Sequence, residues 1–417
     1  MKRLYTLFII ASLSLASAIA QDRGTGIIGN YYYRVRNFGQ DRYVYVRDNY
    51  DESDIVRQVP DFGAIELWKD ASKTIYDPGS VIYIVKNDKT GTYNLKAQGT
   101  GVEELTGYEV HINALTGTTT KGLYEVYVKK KDVTQYLYDE RTVTRDDGLL
   151  GINNKNDDRY RYWIVDKIET NHATNYFGVK PTIQLNGKYY RPFYASFPFK
   201  LVSEGMHVYY INSVKGDEAV LKEIEGEIPA STPVVIECTS DNPSNNRLEL
   251  LYTEPTNLSG NKLAGIYFCN QNRGKNSKEA FKVFDASAMR ILTTANGKLV
   301  LSNNETQLLN SKLLQVVNTI DWESEDEDEI TVNCIPANTC YLMADAGTPA
   351  TLNIRFEGVG IDEILAEKKD KSAEGVYSLS GTQIRATNDV QGLPAGLYIV
   401  GGVKFAIKYK PLPCPLP

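Results

Sequence analysis

Apolar and polar residues alternate along most of this chain with the period of two that belongs to extended strands. Tyr31 to Val46 carries two such runs around a Phe-Gly-Gln-Asp turn, and Val81 to Leu95 repeats the arrangement around Asn-Asp-Lys-Thr-Gly. Successive side chains of a strand point to opposite faces, so this alternation indicates half-buried hairpins. From Thr170 to Gly360, short strand-like runs and dense Gly, Asn and Ser turns show no sustained helical period. The pattern predicts an all-β protein.

A unit of hairpin, loop and aromatic strand occurs three times between Tyr31 and Glu169. Its spacing of roughly 40 to 50 residues is typical of a repeat architecture. The three units resemble the β-trefoil of ricin-like lectins, with Tyr32 to Val46 as the opening hairpin. This resemblance implies a β-trefoil-like domain over residues 24–169. The repeated Gln-x-Trp motif of that family is absent, so no sugar-binding residue is assigned from it.

One phrase, an apolar residue followed by Pro-Ala, a short turn and a strand-like run, begins at Ile228 and returns at Ile335. Proline fixes φ and donates no hydrogen bond, which suits the entry to a strand. The two copies lie 335 − 228 = 107 residues apart and predict an antiparallel β-sandwich of two related halves over residues 170–360. This region resembles a β-sandwich module of exported proteins of Gram-negative anaerobes, which implies location more than activity.

A third, shortened copy of the phrase begins at Leu393. Together with Gly375 to Ile384 and the closing strand up to Lys408, it is similar to the C-terminal sorting domain of the type IX secretion family. The resemblance implies a small β-sandwich module over residues 375–408 that routes or anchors the protein at the outer surface. A charged linker, 361–374, precedes it. The Pro-rich tail, 409–417, extends beyond the family's usual terminal lysine.

The N-terminal residues Met1 to Ala20 have the pattern of a cleaved secretory signal peptide. Lys2 and Arg3 precede an apolar run, and small residues precede Gln21. We therefore expect a secreted or outer-surface protein. The formal net charge of −6 is mild and both signs are mixed along the 417 residues, which disfavours a nucleic-acid partner. No later segment is long and apolar enough for a transmembrane helix.

The sequence shows no motif of a known catalytic or cofactor site. The three histidines lack metal-ligand spacing, and those in strand patterns, His111 and His207, are predicted to be hydrogen-bonded structural residues. The acidic run Asp321 to Glu329 lacks the glycine turn of a calcium loop and predicts a solvated loop. No cofactor is expected. The cysteines are either disulfide-bonded, with Cys334 stapled to Cys340, or buried free thiols; they are Cys238, Cys269, Cys334, Cys340 and Cys414.

Aromatic side chains of the N-terminal domain are the candidate ligand-binding residues. If Val44 and Val46 point inward, Tyr43 and Tyr45 point outward, with Arg42 and Arg47 at the ends. Such rings offer an apolar plane with a polar tip, suited to a sugar or a protein partner. The alternative is that tyrosine simply favours strands. The complete candidate set is Tyr43, Tyr45, Trp68, Tyr127, Tyr136, Tyr138 and Trp163.

Three functions remain open at this point. The first is a non-enzymatic exported surface protein that binds a glycan or an extracellular host or matrix protein through the N-terminal domain. The second is a secreted glycan-degrading hydrolase, which requires two carboxyl groups roughly 5 to 10 Å apart. The third is a structural component of the cell envelope.

Overall fold

The computed structural model describes residues 29–46, 65–68, 71–97, 109–131, 133–139, 147–153, 158–252, 255–256, 258–266, 282–320, 329–357, 375–379, 381–394, 396–400 and 403–407. The chain divides into two compact units, Met1–Arg355 and Phe356–Pro417. The predicted all-β class is confirmed, because strands dominate the described residues and helices are short. No helix within these ranges is long and apolar enough to cross a membrane.

The predicted signal peptide, the predicted linker, the Pro-rich tail and the acidic run up to residue 328 lie outside the described residues. The N-terminal elements begin with β1 (Tyr31–Asn37), β2 (Tyr43–Val46), β3 (Ile65–Trp68), α1 (Ala71–Thr74), the 3-10 turn η1 (Pro78–Ser80), β4 (Ile82–Asn87) and β5 (Thr92–Ala97). They continue with β6 (Val110–Ala114), β7 (Tyr124–Lys130), β8 (Val133–Asp139), β9 (Asp147–Asn153), α2 (Asp158–Arg161) and β10 (Tyr162–Lys167).

Six of these strands close into an antiparallel barrel in the order β1-β4-β5-β6-β7-β10, and β10 pairs back with β1. The hairpins β2–β3 and β8–β9 lie between barrel strands and pair with each other through β3 and β9. This plan is that of a β-trefoil, which has a hairpin at three equivalent places. The third place, between β5 and β6, falls in residues 98–108, outside the described ranges.

The barrel interior is filled by residues of alternating strand positions, among them Val35, Val44 and Val165. Trp163 lies among them, fully buried, and its indole N–H donates to the carbonyl oxygen of Leu137 at 3.0 Å. The prediction that Trp163 displays its ring to a ligand is therefore wrong. Trp163 and Val165 lie two residues apart on β10 and so share one face of the strand, which the closed barrel turns towards the core.

Arg42 also differs from expectation, because it is buried rather than placed at the end of an exposed row. Its guanidinium forms a salt bridge with the fully buried carboxylate of Asp139, and its Nε lies 3.1 Å from Asp139 Oδ2. Burial raises the pKa of Asp139, and the bond from Arg42 opposes that rise. The pair connects the turn after β1 to the end of β8.

The central region contains β11 (Phe177–Gly178), β12 (Ile183–Leu185), β13 (Lys188–Phe193), β14 (Phe199–Leu201), β15 (His207–Lys215), β16 (Glu218–Glu223), β17 (Glu227–Ile228), β18 (Val234–Cys238), η2 (Pro243–Asn245), β19 (Arg247–Leu250), β20 (Leu263–Ile266), β21 (Met289–Ala295), β22 (Lys298–Ser302), α3 (Glu305–Asn310), β23 (Gln315–Ile320), β24 (Glu329–Cys334), β25 (Thr339–Met343) and β26 (Thr351–Phe356). A four-stranded sheet runs β11-β19-β14-β17, and a ten-stranded sheet runs β12-β13-β18-β15-β16-β26-β22-β21-β25-β20. The hairpin β23–β24 forms a separate pair.

The two full copies of the Pro-Ala phrase adopt the same turn. Ser231 and Asn338, each two residues after its proline, have φ of 57° and 51°, a left-handed conformation that few side chains adopt. Ser231 donates its backbone N–H to Ala195 O at 2.9 Å, and Asn338 donates its side-chain amide to Tyr194 O at 3.1 Å. The two turns therefore meet at one short segment, from which β18 and β25 depart.

The barrel and the central sheets share packed side chains. Tyr32 of β1 and Val81 are buried in the same apolar cluster as Phe177 and Phe197, and the rings of Tyr32 and Phe197 lie 5.9 Å apart. The segment from α1 to η1 lies at this contact, since Gly178 donates its N–H to Ile75 O at 2.7 Å. The barrel is thus held directly against the central sheets.

The smaller unit contains β27 (Val376–Ser378), β28 (Gln383–Arg385), β29 (Gly396–Val400) and β30 (Val403–Ile407). These strands form one antiparallel sheet in the order β28-β27-β29-β30. The third copy of the phrase leads into β29, as the other two lead into β18 and β25.

The described cysteines Cys238, Cys334 and Cys340 are buried free thiols, so the second of the two alternatives holds for them and Cys334 is not bonded to Cys340. Burial raises the pKa of Cys238 and Cys340 to about 12, which makes both thiols unreactive. The Cys340 thiol lies 3.2 Å from the Val234 carbonyl oxygen. Cys269 and Cys414 lie outside the described residues.

We expect that removing one partner of the buried Arg42–Asp139 pair destabilises the barrel. Asp139→Ala leaves a buried guanidinium without its carboxylate, which costs roughly 3–5 kcal/mol. The double variant Arg42→Met with Asp139→Leu removes both charges and should recover most of the loss. Urea denaturation measures the free energy of unfolding. A double variant as unstable as Asp139→Ala would contradict this account of the pair.

The stability of the fold should depend on pH through Asp77, whose carboxylate accepts the Gly79 N–H at 2.7 Å. Desolvation raises its pKa from 3.8 to about 6, against the hydrogen bond from Gly79 and the attraction of Arg191 and Arg34. The folded state therefore binds more protons than the unfolded state between these values, and this contribution to stability grows as the pH falls from 7 towards 4.

The variant Asp77→Asn keeps an acceptor for Gly79 and removes the titration. We expect its change in unfolding free energy between pH 7 and pH 5 to differ from that of the wild type by about 1–2 kcal/mol, after allowance for partial exposure. Asp88→Asn, at an exposed turn, is the matched control. Equal pH profiles for the wild type and Asp77→Asn would show that Asp77 does not contribute.

Candidate ligand-binding site

The outer surface of β6, β7 and β8 carries a row of rings at directly opposed positions. His111 of β6 pairs with Tyr127 of β7, and Tyr127 pairs with Tyr136 of β8. All three side chains are half-buried, whereas their inward neighbours Val126 and Val128 are in the core. We call this surface the β6–β8 face; its residues are His111, Asn113, Glu125, Tyr127, Lys129 and Tyr136.

The rings of this face cover one another. The imidazole of His111 stacks on Tyr127 with a centroid distance of 4.8 Å and an angle of 5°, and Tyr136 lies 5.4 Å from Tyr127 on its other side. The face therefore presents ring edges and polar tips to the solvent rather than open planes. Asn113 Nδ2 donates to the Tyr127 hydroxyl at 3.0 Å and fixes that tip.

Helix α2 covers the β8 side of the face. The Arg161 guanidinium lies 4.8 Å from the centroid of the Tyr136 ring and forms a salt bridge of 2.9 Å with Glu125. Tyr160 packs against Tyr138 at 6.0 Å and buries it. The prediction that Tyr138 lies on an exposed face is therefore wrong, because a short helix after β9 covers it.

The remaining candidate residues, Tyr43, Tyr45 and Trp68, belong to other strands than those of the β6–β8 face. Tyr43 is half-buried and lies apart from the β6–β8 face, with the Arg36 guanidinium 5.8 Å from its ring centroid. Burial raises the pKa of Tyr43. Tyr45 and Trp68 belong to β2 and β3, but their side chains lie outside the described residues. Of the seven candidates, the structure brings together Tyr127 and Tyr136.

Sequence reasoning missed His111, Asn113, Glu125 and Arg161 as members of one site. His111 was expected to be a hydrogen-bonded structural residue, and Glu125 and Arg161 belong to elements 36 residues apart. Alternation around Tyr127 gives Glu125 as a same-face neighbour, which was an available signal. The register that places His111 opposite Tyr127 depends on how β6 and β7 pair.

The pKa of His111 lies below its ordinary value, which favours the neutral imidazole. Partial burial is the main cause of its lowered pKa, Lys129 lowers it further, and Glu109 opposes both. A neutral imidazole offers one donor and one acceptor nitrogen, whereas its protonated form offers two donors. Its protonation therefore depends on the charged side chains beside it.

A second polar cluster lies on the ten-stranded sheet. Tyr209 donates its hydroxyl to Glu237 Oε2 at 3.3 Å, and Lys188 forms a salt bridge of 3.2 Å with the same carboxylate. His207 Nδ1 lies 2.6 Å from Glu223 Oε1, so His207 is hydrogen-bonded as predicted. Burial and both carboxylates raise the pKa of Tyr209. Its hydroxyl thus stays protonated and acts as a donor.

No protein-family model matches this chain, and no curated protein matches it. A solved structure of a mosquitocidal holotoxin is 12% identical in sequence to this chain, with a TM-score of 0.26. The match covers 76% of this chain. The match covers 35% of that chain, so this protein spans about a third of its length.

The electrostatic account of His111 gives a direct prediction. Lys129→Gln removes a neighbouring positive charge and should raise the His111 pKa towards its usual range. Proton titration followed by nuclear magnetic resonance of the histidine rings measures this change. His172 and His207 are internal controls in the same sample, and Lys215→Gln is the matched surface variant. An unchanged His111 titration in Lys129→Gln would refute the coupling.

Proposed function

We propose that this protein is an exported binding protein that recognises a glycan through the β6–β8 face. The observation that carries the proposal is the cluster of solvent-accessible polar groups on one sheet surface. Tyr127 supplies a hydroxyl, Asn113 an amide and His111 an imidazole, all side by side. Specific sites for small ligands are built from a few placed polar groups among apolar and aromatic side chains.

Contacts within the face hold these groups in place before a ligand binds. Arg161 is fixed by Glu125 and by the Tyr136 ring, and Tyr127 lies between His111 and Tyr136. Ordering a rotamer-rich side chain on binding costs roughly 0.5–1.5 kcal/mol, so side chains already ordered bind at less cost. Saccharide hydroxyls suit such a surface, because each is both a donor and an acceptor.

Two sequence features support an extracellular location for this activity. The first is the charged start and apolar run of residues 1–20, which has the composition of a signal peptide. The second is the resemblance of residues 375–408 to a sorting domain. We propose that the protein works in secreted or surface-associated form, where glycans are abundant.

The second polar cluster, around Glu223 and Glu237, supports a hydrolytic function less well than the β6–β8 face supports glycan binding. Glu223 and Glu237 lie on β16 and β18, either side of Tyr209 on β15. Glu237 is buried and already bound by Lys188 and by the hydroxyl of Tyr209, while Glu223 is bound to His207. These bonds stabilise the sheet surface, and a glycosidase requires carboxyl groups that reach the substrate.

A glycan array with the chain from Gln21 to Pro417 tests the proposal. We expect retention on a limited set of glycans and a loss in Tyr127→Phe, which removes the hydroxyl but keeps the ring stack. One neutral hydrogen bond contributes about 0.5–1.5 kcal/mol, so affinity should fall roughly two- to tenfold. Tyr43→Phe is the matched control, since Tyr43 lies apart from the face.

Circular dichroism confirms in each case that the variant is folded. Absence of retention by the folded wild type on every glycan would overturn the proposed function. Equal affinities of the wild type and Tyr127→Phe would remove the β6–β8 face as the site.

A further inference from the structure

Strands β23 and β24 form a two-stranded ribbon, and β23 is an open edge of it. The six residue pairs run from Gln315↔Cys334 to Ile320↔Glu329 without a bulge. Within the described ranges, no strand pairs with the outer side of β23. The edge strands of the other open sheets have only two to five residues; they are β11, β12, β17, β20, β28 and β30. β23 is therefore longer than the edge strands of every other described sheet.

β23 lacks the features that protect the edges of most sheets. Such edges usually carry charged side chains, a proline or a bulge, or they are very short. The sequence of β23, Gln-Val-Val-Asn-Thr-Ile, contains no charged residue, glycine or proline, and four of its six residues are β-branched. By contrast, the edge strand β30 contains Lys404, and β28 ends in Arg385. An unprotected edge of this kind is a template for a further strand.

The hydrogen bonds of β24 show which backbone groups of β23 point outward. Phe284 donates its N–H to Asn333 O at 2.7 Å, so the backbone groups of Asn333 point away from β23. Val316 lies opposite Asn333. Bonded and non-bonded residue pairs alternate along an antiparallel ladder. The N–H and C=O of Val316 therefore point to the outer edge, and those of Asn318 and Ile320 do the same.

The ribbon is anchored through one face, and its other face is accessible. Val317 is buried together with Cys334, and Val332 packs against them. On the opposite face, Val316 is 57% exposed although it is apolar, and Asn318 is exposed as well. The outward backbone groups of these two residues thus lie beside side chains that solvent reaches.

We propose that two copies of this chain associate by antiparallel pairing of their β23 strands. The two-fold axis runs perpendicular to the sheet, so that Asn318 lies opposite the partner's Asn318, and Val316 lies opposite the partner's Ile320. This register places all the outward residues of both strands in bonded pairs, with two hydrogen bonds in each pair. A shift by two residues in either direction loses one of these pairs. The product is a four-stranded antiparallel sheet in the order β24-β23-β23-β24.

Charge and symmetry favour a second copy in this antiparallel arrangement. In a two-fold dimer the same surface is used by both subunits, and a strand without charged side chains meets no repulsion from its own copy. The acidic run 321–328 follows Ile320 in the sequence. Antiparallel pairing keeps the two Ile320 ends apart, whereas parallel pairing brings them side by side and lets the acidic runs repel each other.

Sedimentation velocity of the chain from Gln21 to Pro417 tests the proposal. The contact between two six-residue strands is small compared with the roughly 1,200–2,000 Å² of a stable interface, so the dimer should be weak. We expect a monomer at about 1 μM, an increasing dimer fraction up to about 300 μM, and a dissociation constant of about 10–100 μM. A protein that stays monomeric over this range overturns the proposal.

Charged substitutions at Asn318 test the register. Asn318→Asp and Asn318→Lys each place two like charges directly opposite each other, so each should weaken self-association roughly two- to fivefold. An equimolar mixture of the two variants places opposite charges there and should associate more strongly than either variant alone. A mixture that associates no better than the separate variants contradicts pairing about Asn318.

A proline at the same position tests the backbone pairing. The N–H of Asn318 points outward and is not bonded to β24, so Asn318→Pro removes it without loss of a bond within the ribbon. This variant should abolish self-association and keep the circular dichroism spectrum of the wild type. A folded Asn318→Pro protein that dimerises as the wild type does overturns the proposal.

Thr331→Asp and Thr331→Lys are the matched controls. Thr331 lies opposite Asn318 on β24 and donates its hydroxyl to Asn318 Oδ1 at 3.0 Å. These variants remove that bond and add the same charges to the same face. The added charge lies three strand spacings, about 14 Å, from its copy, beyond the screening length of about 8 Å at physiological salt. Both controls should dimerise as the wild type does, and an equal loss in them would overturn the proposal.

Discussion

The guanidinium of Arg34 connects three parts of the molecule that are distant in sequence. It donates to Thr74 O at 2.7 Å, Ser80 Oγ at 3.1 Å, Asn175 Oδ1 at 2.7 Å and Tyr176 O at 2.8 Å. A buried charge is tolerated only when its hydrogen-bonding groups have partners. Here the partners of one barrel residue belong to the segment from α1 to η1 and to the loop before β11, which lie on the two sides of the contact with the central sheets. Burial lowers the pKa of Arg34 to about 10, so it remains charged at neutral pH.

The hydrogen bonds of Arg34 also bear on the candidate site, because they fix a strand of the barrel that carries the site. Strand β1, which carries Arg34, belongs to the same closed barrel as β6 and β7. Separating β1 from its neighbouring strands would therefore also break its contact with the central sheets. Inside the ring, Val126 and Val128 are packed in the core directly behind Tyr127. The outward residues of β6–β8 are therefore positioned by packing that continues through the barrel.

The rings on this surface also show why a count of aromatic residues is a poor guide to ligand chemistry. Tyr127 is flanked on both sides, by His111 and by Tyr136, and Arg161 covers Tyr136. Cross-strand pairs of this kind stabilise a sheet as well as shape a site. What remains available is the hydroxyl of Tyr127 and the polar atoms around it, which favours recognition by hydrogen bonds and charge over stacking on a sugar plane.

The sequence alone determined the all-β class, the strand entries at the Pro-Ala phrases and the inward side of single strands, because alternation and proline geometry are local properties. The inward position of Val44 and the outward position of Tyr127 follow from this alternation. Only the tertiary structure decided that Trp163 fills the core, that α2 covers Tyr138 and that His111 faces Tyr127. Where both faces of a strand carry aromatic or apolar residues, as in β8 and β10, barrel closure decides which face meets the core, and the pairing register decides which residues become neighbours.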